Sequence, residues 1–223
     1  MAERILILGA TGPSGLEIVR AALRDVPDAK LVLYVRSPQK LGEEIKTHPS
    51  ITIVEGTLED DAALERALQG VDAILSALGP SGPSHPKDAP IAQFYKKLLN
   101  KMRERGIKRF LALGTASAPD PAHDRFSLVW KAMVLTIYTF YYAGYSEFHT
   151  LGEILRGPEG KGIEWTMARV PWLTDDDNTE TIAGYIGDGK TGLRLARKGF
   201  AKFMVGELKK REWVGKMPAI SSA

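Results

Sequence analysis

Through about its first 115 residues the sequence repeats one pattern: a short apolar run, then a stretch whose apolar residues recur every three or four positions. The runs are Ile5–Leu8, Leu31–Val35, Ile51–Val54, Asp72–Ala77 and Phe110–Leu113. They have strand length and do not alternate apolar with polar, as strands covered on both faces do not. Between them, Leu16, Val19 and Leu23 share a helix face. Ser37-Pro38 offers a cap and first-turn proline for a short helix, and Asp60 or Asp61 caps another running to about Leu68. The clearest period is Ile91, Phe94, Tyr95, Leu98, Leu99 and Met102, closed by Gly106. This alternation predicts an α/β fold: a doubly wound parallel sheet with helices on both faces and right-handed crossovers. Such sheets bind ligands beyond the carboxyl ends of their strands, so the residue after each strand is a site candidate.

The second half is less regular. Phe126 to Tyr142 is an apolar segment broken only by Ser127, Lys131, Thr136 and Thr139. It is short for a membrane span and carries a lysine. A helix buried in the fold or lining a pocket is expected, ahead of a dimer face, with membrane contact last. Residues 145–156 continue as helix, and Ile163–Val170 forms a sixth strand after a turn at Gly157, Gly160 and Gly162. Leu193–Ala196 reads as a short strand, and 198–211 as a helix with Phe200, Phe203, Met204 and Leu208 inward. No repeat or linker divides the chain, so one domain over 1–223 is expected.

Composition narrows the classes. Lys plus Arg is 30 against 27 for Asp plus Glu in 223 residues, with 44 % apolar, ordinary values that exclude a disordered chain. With no cysteine there is no disulfide framework, thiolate zinc site or cysteine nucleophile, which fits a reducing, cytoplasmic setting. The apolar run after Met1-Ala2-Glu3-Arg4 is too short for a signal peptide. Basic residues cluster over 190–216, just after the acidic stretch Asp175, Asp176, Asp177 and Glu180. Apolar residues interleave at helical spacing, so a solvated helix face is expected there rather than a nucleic-acid surface. His48, His85, His123 and His149 are scattered, and no metal site is expected.

The first strand runs into Gly9-Ala10-Thr11-Gly12-Pro13-Ser14-Gly15 and then a helix. In this setting the glycine triplet is a dinucleotide fingerprint. The first glycine permits the turn, the second admits the pyrophosphate to the backbone, and the third lets helix and sheet pack. The helix N-terminus supplies N–H groups and positive dipole, and Pro13 suits its first turn. Where NAD-specific sites carry an acid at the end of strand two, this chain has Arg36, with Ser37 beside it and Lys40 a turn later. Two cations suit a 2′-phosphate, so NADP(H) is the expected cofactor. Thr57 and Leu58 after strand three, and Ala77, Leu78 and Gly79 after strand four, are placed to line the adenosine half.

These residues, with Trp165-Thr166-Met167-Ala168-Arg169-Val170-Pro171, resemble the atypical short-chain dehydrogenase/reductases. The nearest branch is the small NAD(P)H-binding group around NmrA-like proteins and flavin/biliverdin reductases. The resemblance covers essentially the whole chain and implies a Rossmann-type fold. It splits the chain into a nucleotide-binding half, 1–118, and a catalytic and substrate-pocket half, 119–223. The wider superfamily uses a Tyr-x-x-x-Lys pair and a hydroxyl at the end of strand five. Alignment to that pattern implies Tyr145 as the tyrosine, His149 at the lysine position and Thr115 as the hydroxyl, with Ser117 a near alternative. Pro171 and Trp172 fall where this family builds the outer pocket wall, with Trp130 nearby in sequence. The loop 79–90, rich in Pro80, Pro83, Pro86 and Pro90, reads equally as a lid or a stiff connector.

The leading expectation is an NADPH-dependent reductase of a small apolar or aromatic carbonyl, quinone-like or flavin-like acceptor, monomeric or homodimeric. The alternative is a non-catalytic NADP(H) sensor of the NmrA type. A docking protein built around 126–142 comes third.

Overall fold

The expected alternation is present in the computed structural model, which describes residues 3–80, 82 and 84–223. Pro83, and Met1 and Ala2 of the N-terminal reading, lie outside the described residues. The first half runs β1 (Arg4–Leu8), α1 (Pro13–Asp25), β2 (Lys30–Val35), α2 (Glu43–Lys46), β3 (Ile51–Glu55), α3 (Asp61–Ala67), β4 (Ala73–Ser76), α4 (Pro90–Glu104) and β5 (Arg109–Thr115). The second half adds α5 (Leu128–Phe140), α6 (Tyr142–Arg156), β6 (Glu164–Val170), β7 (Trp172–Thr174), β8 (Thr181–Gly184), β9 (Arg194–Ala196), α7 (Arg197–Lys210) and β10 (Ala219–Ser222).

Eight strands form one sheet in the order β3-β2-β1-β4-β5-β6-β10-β8, parallel except for the antiparallel β10–β8 pair. The chain steps one way from β1 to β3 and the other way from β4 to β6. Crossovers of one hand then put the two sets of helices on opposite faces. α1 packs on α7, and α4 on α6. β1, β2 and β4 are buried almost throughout, as wholly apolar strands must be, whereas the edge strand β3 is half exposed. Asp60 is the cap of α3, its carboxylate accepting from Ala63 N–H at 2.9 Å. Gly106, at φ +70°, ends α4. Ser37 corrects an expectation: its side chain caps nothing, and only one 3-10 turn, Pro38–Lys40, follows it.

A larger correction concerns 126–142. The segment is helical, but it is not buried. Of the residues of α5 only Trp130 is enclosed, in a small cluster with Ala116, Ile186 and Ala219. Leu128, Val129, Leu135, Tyr138 and Phe140 stay exposed. The helix is apolar all round, yet the fold offers it a single contact side, so hydrophobicity alone misreports its burial. The basic cluster has a simple reading. Arg197 pairs with Asp175 and Lys202 with Glu180, each at 2.6 Å, and Lys198 with Asp177. The acidic stretch folds back onto the start of α7.

Candidate functional site

At the carboxyl end of β1 the chain turns over Gly9, at φ +77°, and Gly12 N–H closes the turn on Gly9 O at 3.0 Å. The three glycines have three different reasons to be there. A Cβ on Gly9 would lie 2.9 Å from the Ala77 carbonyl carbon, and one on Gly15 only 2.0 Å from Gly9 O. Both positions are closed by packing. Gly12 has ordinary extended backbone, φ −83° and ψ 159°, and a Cβ there would meet only Gly9 O, at 3.4 Å. Neither strain nor packing demands glycine at 12, so the bare backbone fits the approach of a pyrophosphate. No side chain caps α1 and its first turn holds no acid, which leaves its N–H groups and dipole to an anion. Thr11, Pro13 and Ser14 stand at this mouth, none of them buried.

Arg36 projects into solvent at the end of β2, with Ser37 half-buried beside it and Lys40 exposed. Among the described residues neither cation has an acidic partner; the ion pair of this stretch, Lys46–Glu43 at 2.5 Å, uses neither. The loop carrying Thr57 and Leu58 is fixed from below. Tyr34 Oη donates to Thr57 O at 2.5 Å, and Lys97 Nζ to Leu58 O at 3.0 Å. Burial pushes the Tyr34 phenol up to about 12. After β4, Ala77 lies against Gly9, Leu78 N–H bonds Ser76 Oγ at 3.3 Å, and Gly79 lies against Phe148 of α6. The expected cofactor residues thus follow the carboxyl ends of four strands that are neighbours in the sheet, β3-β2-β1-β4.

The catalytic candidates meet at the end of β5. Thr115 Oγ1 accepts from Ser117 N–H at 3.3 Å, and His149 Nδ1 lies 3.2 Å from Ser117 O. That carbonyl can only accept, so Nδ1 carries the proton and donates. Tyr145 Oη lies 3.5 Å from the same nitrogen, the rings stacking 5.2 Å apart at 14°. At that distance it is a contact rather than a strong hydrogen bond. Burial, then Tyr138, Tyr142 and Glu153, push the Tyr145 phenol above its ordinary value. The floor is Arg169, fully buried on β6. It binds both oxygens of Asp124 at 2.6 and 2.7 Å and the Ala118 carbonyl at 3.1 Å, holding the loop after β5.

The pocket candidates separate. Pro171 is buried, Trp172 is 74 % exposed, and Trp130 is 5 % exposed within its own cluster beneath Ala116. Trp130 supports the site rather than offering an open face. The structure also brings in Glu147 and His85, which the sequence does not single out for the site. The buried Glu147 carboxylate accepts from Ile91 N–H at 3.0 Å and Ala92 N–H at 2.8 Å, and lies 2.6 Å from His85 Nε2. Tyr141 Oη donates to Gly82 O and Ser146 Oγ to Lys87 O. The described part of the loop 79–90 is therefore stitched to α6. The signal was present: Glu147 falls between Ala143 and Leu151 on the buried stripe of α6, where an acid needs partners.

The sequence matches the NAD(P)H-binding family over residues 9–211. Quinone oxidoreductase 2 of Escherichia coli (strain K12) is 31 % identical over 108 residues, covering 47 % of this chain and 34 % of that protein. A phenylcoumaran benzylic ether reductase of Ginkgo biloba is 36 % identical over 141 residues, covering 58 % and 43 %. The chain spans between 21 % and 47 % of the length of the curated relatives it matches. A short-chain dehydrogenase/reductase from Veillonella parvula DSM 2008, solved in complex with NADP, superposes with a TM-score of 0.78 at 17 % identity. The match covers 100 % of this chain and 95 % of that one, and it establishes the shared fold.

Proposed function

This chain belongs to the NAD(P)H-binding family, and from that premise we propose that it is an NADPH-dependent oxidoreductase. Its acceptor is a small apolar or aromatic carbonyl, quinone-like or flavin-like compound. The observation that carries the reading is the convergence at one sheet edge. An open glycine cradle and an Arg36 with no acidic partner among the described residues stand at one end, and a chain of contacts from Thr115 through Ser117 and His149 to Tyr145 stands at the other. The quinone and benzylic ether reductases among the relatives support the aromatic character of the acceptor.

When bound, NADPH supplies the hydride. Backbone at Gly12 and the first turn of α1 hold the pyrophosphate, and Arg36, Ser37 and Lys40 hold the 2′-phosphate. Thr115 Oγ orients an acceptor oxygen. Tyr145, whose raised phenol stays protonated at neutral pH, is a proton donor and not a base. His149, anchored on Ser117 O, keeps the Tyr145 ring stacked and in place.

One observation favours a second reading, an NADP(H)-binding sensor without chemistry. The position four residues after Tyr145 holds His149 and not lysine, and the imidazole contact is long. NADPH oxidation by the purified protein against aldehyde, quinone and flavin panels separates the two. Turnover on any panel supports the reductase. Tight NADPH binding with no turnover gives the sensor.

A further inference from the structure

The outward face of α5 is apolar even where its sequence is polar. Thr136 Oγ1 donates to Ala132 O at 2.9 Å and Thr139 Oγ1 to Leu135 O at 2.8 Å, so neither hydroxyl proton needs water. Around them Leu128, Leu135 and Phe140 are 71 %, 62 % and 85 % exposed, and Phe126, just before the helix, is 78 % exposed. Monomeric surfaces seldom leave so many large apolar side chains together in water.

Charge decides what covers the face. From Arg125 to Ser146 the only formal charges are Arg125 and Lys131, both cationic and exposed, and neither is ion-paired among the described residues. The Lys131 ammonium rides 5.9 Å over the Phe126 ring, its stem along the apolar surface. The carboxylates just before Arg125 are taken, Asp120 by His123 and Asp124 by Arg169. A two-fold interface would meet this face with itself, and α5 brings no acid of its own to pair with either cation. An anionic bilayer offers hydrocarbon to the side chains and phosphate or carboxylate to the cations. The 13-residue helix is about 20 Å long, short of the roughly 30 Å hydrocarbon core, so it lies along the interface and does not cross it.

We infer that α5 is a peripheral docking face for an anionic lipid bilayer. The face is continuous with the candidate site, because Tyr138 of α5 packs edge-on against Tyr145, ring centroids 5.0 Å apart. Docking brings the mouth of that site to the lipid surface, where apolar acceptors dissolve. The inference itself does not depend on the reductase reading.

The test is flotation of the full chain with vesicles of phosphatidylcholine, with and without phosphatidylserine. The expected result is binding to the phosphatidylserine vesicles that weakens with salt. Leu128→Glu and Leu135→Glu, each removing one leucine from the contact with hydrocarbon, lower partitioning about 10- to 100-fold. Both positions are exposed and away from the nucleotide cradle, so melting temperature and NADPH binding stay unchanged. Arg125→Gln with Lys131→Gln removes the preference for phosphatidylserine. No binding by the wild type, or binding that survives Leu135→Glu, overturns the inference. So does a dimer in sedimentation that Leu135→Glu converts to monomer, which assigns the face to a second copy.

Discussion

Gly12 and Gly15 lie three residues apart in one turn, yet the same kind of substitution at each should have opposite consequences. Valine at 12 finds allowed backbone and a single neighbour at 3.4 Å. It gives up a glycine tolerated at a helix cap but restricts the unfolded chain, and these effects offset to within about 1 kcal/mol. The valine methyls then occupy the space left for the pyrophosphate, and NADPH affinity should fall at least about tenfold, and about a hundredfold or more if two charge-assisted contacts are lost. Alanine at 15 places a Cβ 2.0 Å from Gly9 O, so loop and helix must separate by more than 1 Å. Overpacking of that kind costs about 1–3 kcal/mol or more, here against backbone that cannot rotate away. Urea melts of both variants, with NADPH titrations by calorimetry, read the two effects separately. If Gly12→Val binds NADPH like the wild type, the cradle is not the pyrophosphate site and the cofactor argument fails.

Arg36→Ala should weaken NADPH about 10- to 100-fold and leave NADH unchanged by calorimetry, and equal losses for both would remove Arg36 from the 2′-phosphate. Tyr145→Phe should slow aldehyde reduction about 10²–10⁴-fold while quinone or flavin reduction, which takes its proton from water, hardly changes. Because the Tyr145 phenol is raised, its donor form persists past the ordinary tyrosine value of about 10. Aldehyde turnover should therefore show no Tyr145-dependent fall between pH 6 and about 10, and a fall near 8 that Tyr145→Phe abolishes would contradict this. Glu147→Ala strands two buried N–H groups and His85, a loss of about 3–5 kcal/mol, or roughly 6–20 °C in melting temperature. Calorimetric melting within 2 °C of the wild type would show that the loop 79–90 is held by other means.

The first half of the sheet was legible because apolar runs of strand length have few alternatives, and β1 to β5 follow them closely. The strands the sequence leaves unmarked are β7, β8 and β10. Ala219–Ser222 holds two apolar residues and two serines, and its place between β6 and β8 is set by long-range pairing that no local pattern encodes. The nucleotide edge was readable for a different reason. The roles proposed for Gly9, Gly12, Gly15 and Arg36 rest on backbone and formal charge, which spacing reveals. His149 shows the limit: its partner is the Ser117 carbonyl, and a backbone oxygen has no signature in a sequence. The misreading of α5 has the same root, since composition reports how apolar a helix is and not how many neighbours the fold supplies.

The tether of Tyr34 to Thr57 reaches beyond local order. Gly56 lies so close to Tyr34 that a Cβ there would be 2.6 Å from the phenol oxygen, and Lys97 grips the next carbonyl, that of Leu58. The loop proposed to line the adenosine is thus shaped before any ligand arrives, its ordering entropy spent during folding. Such a half-site is a preorganised anchor. A fragment as small as adenosine 2′,5′-bisphosphate should retain a large share of the affinity of the whole dinucleotide, while the nicotinamide end remains the part whose fit is left to the acceptor.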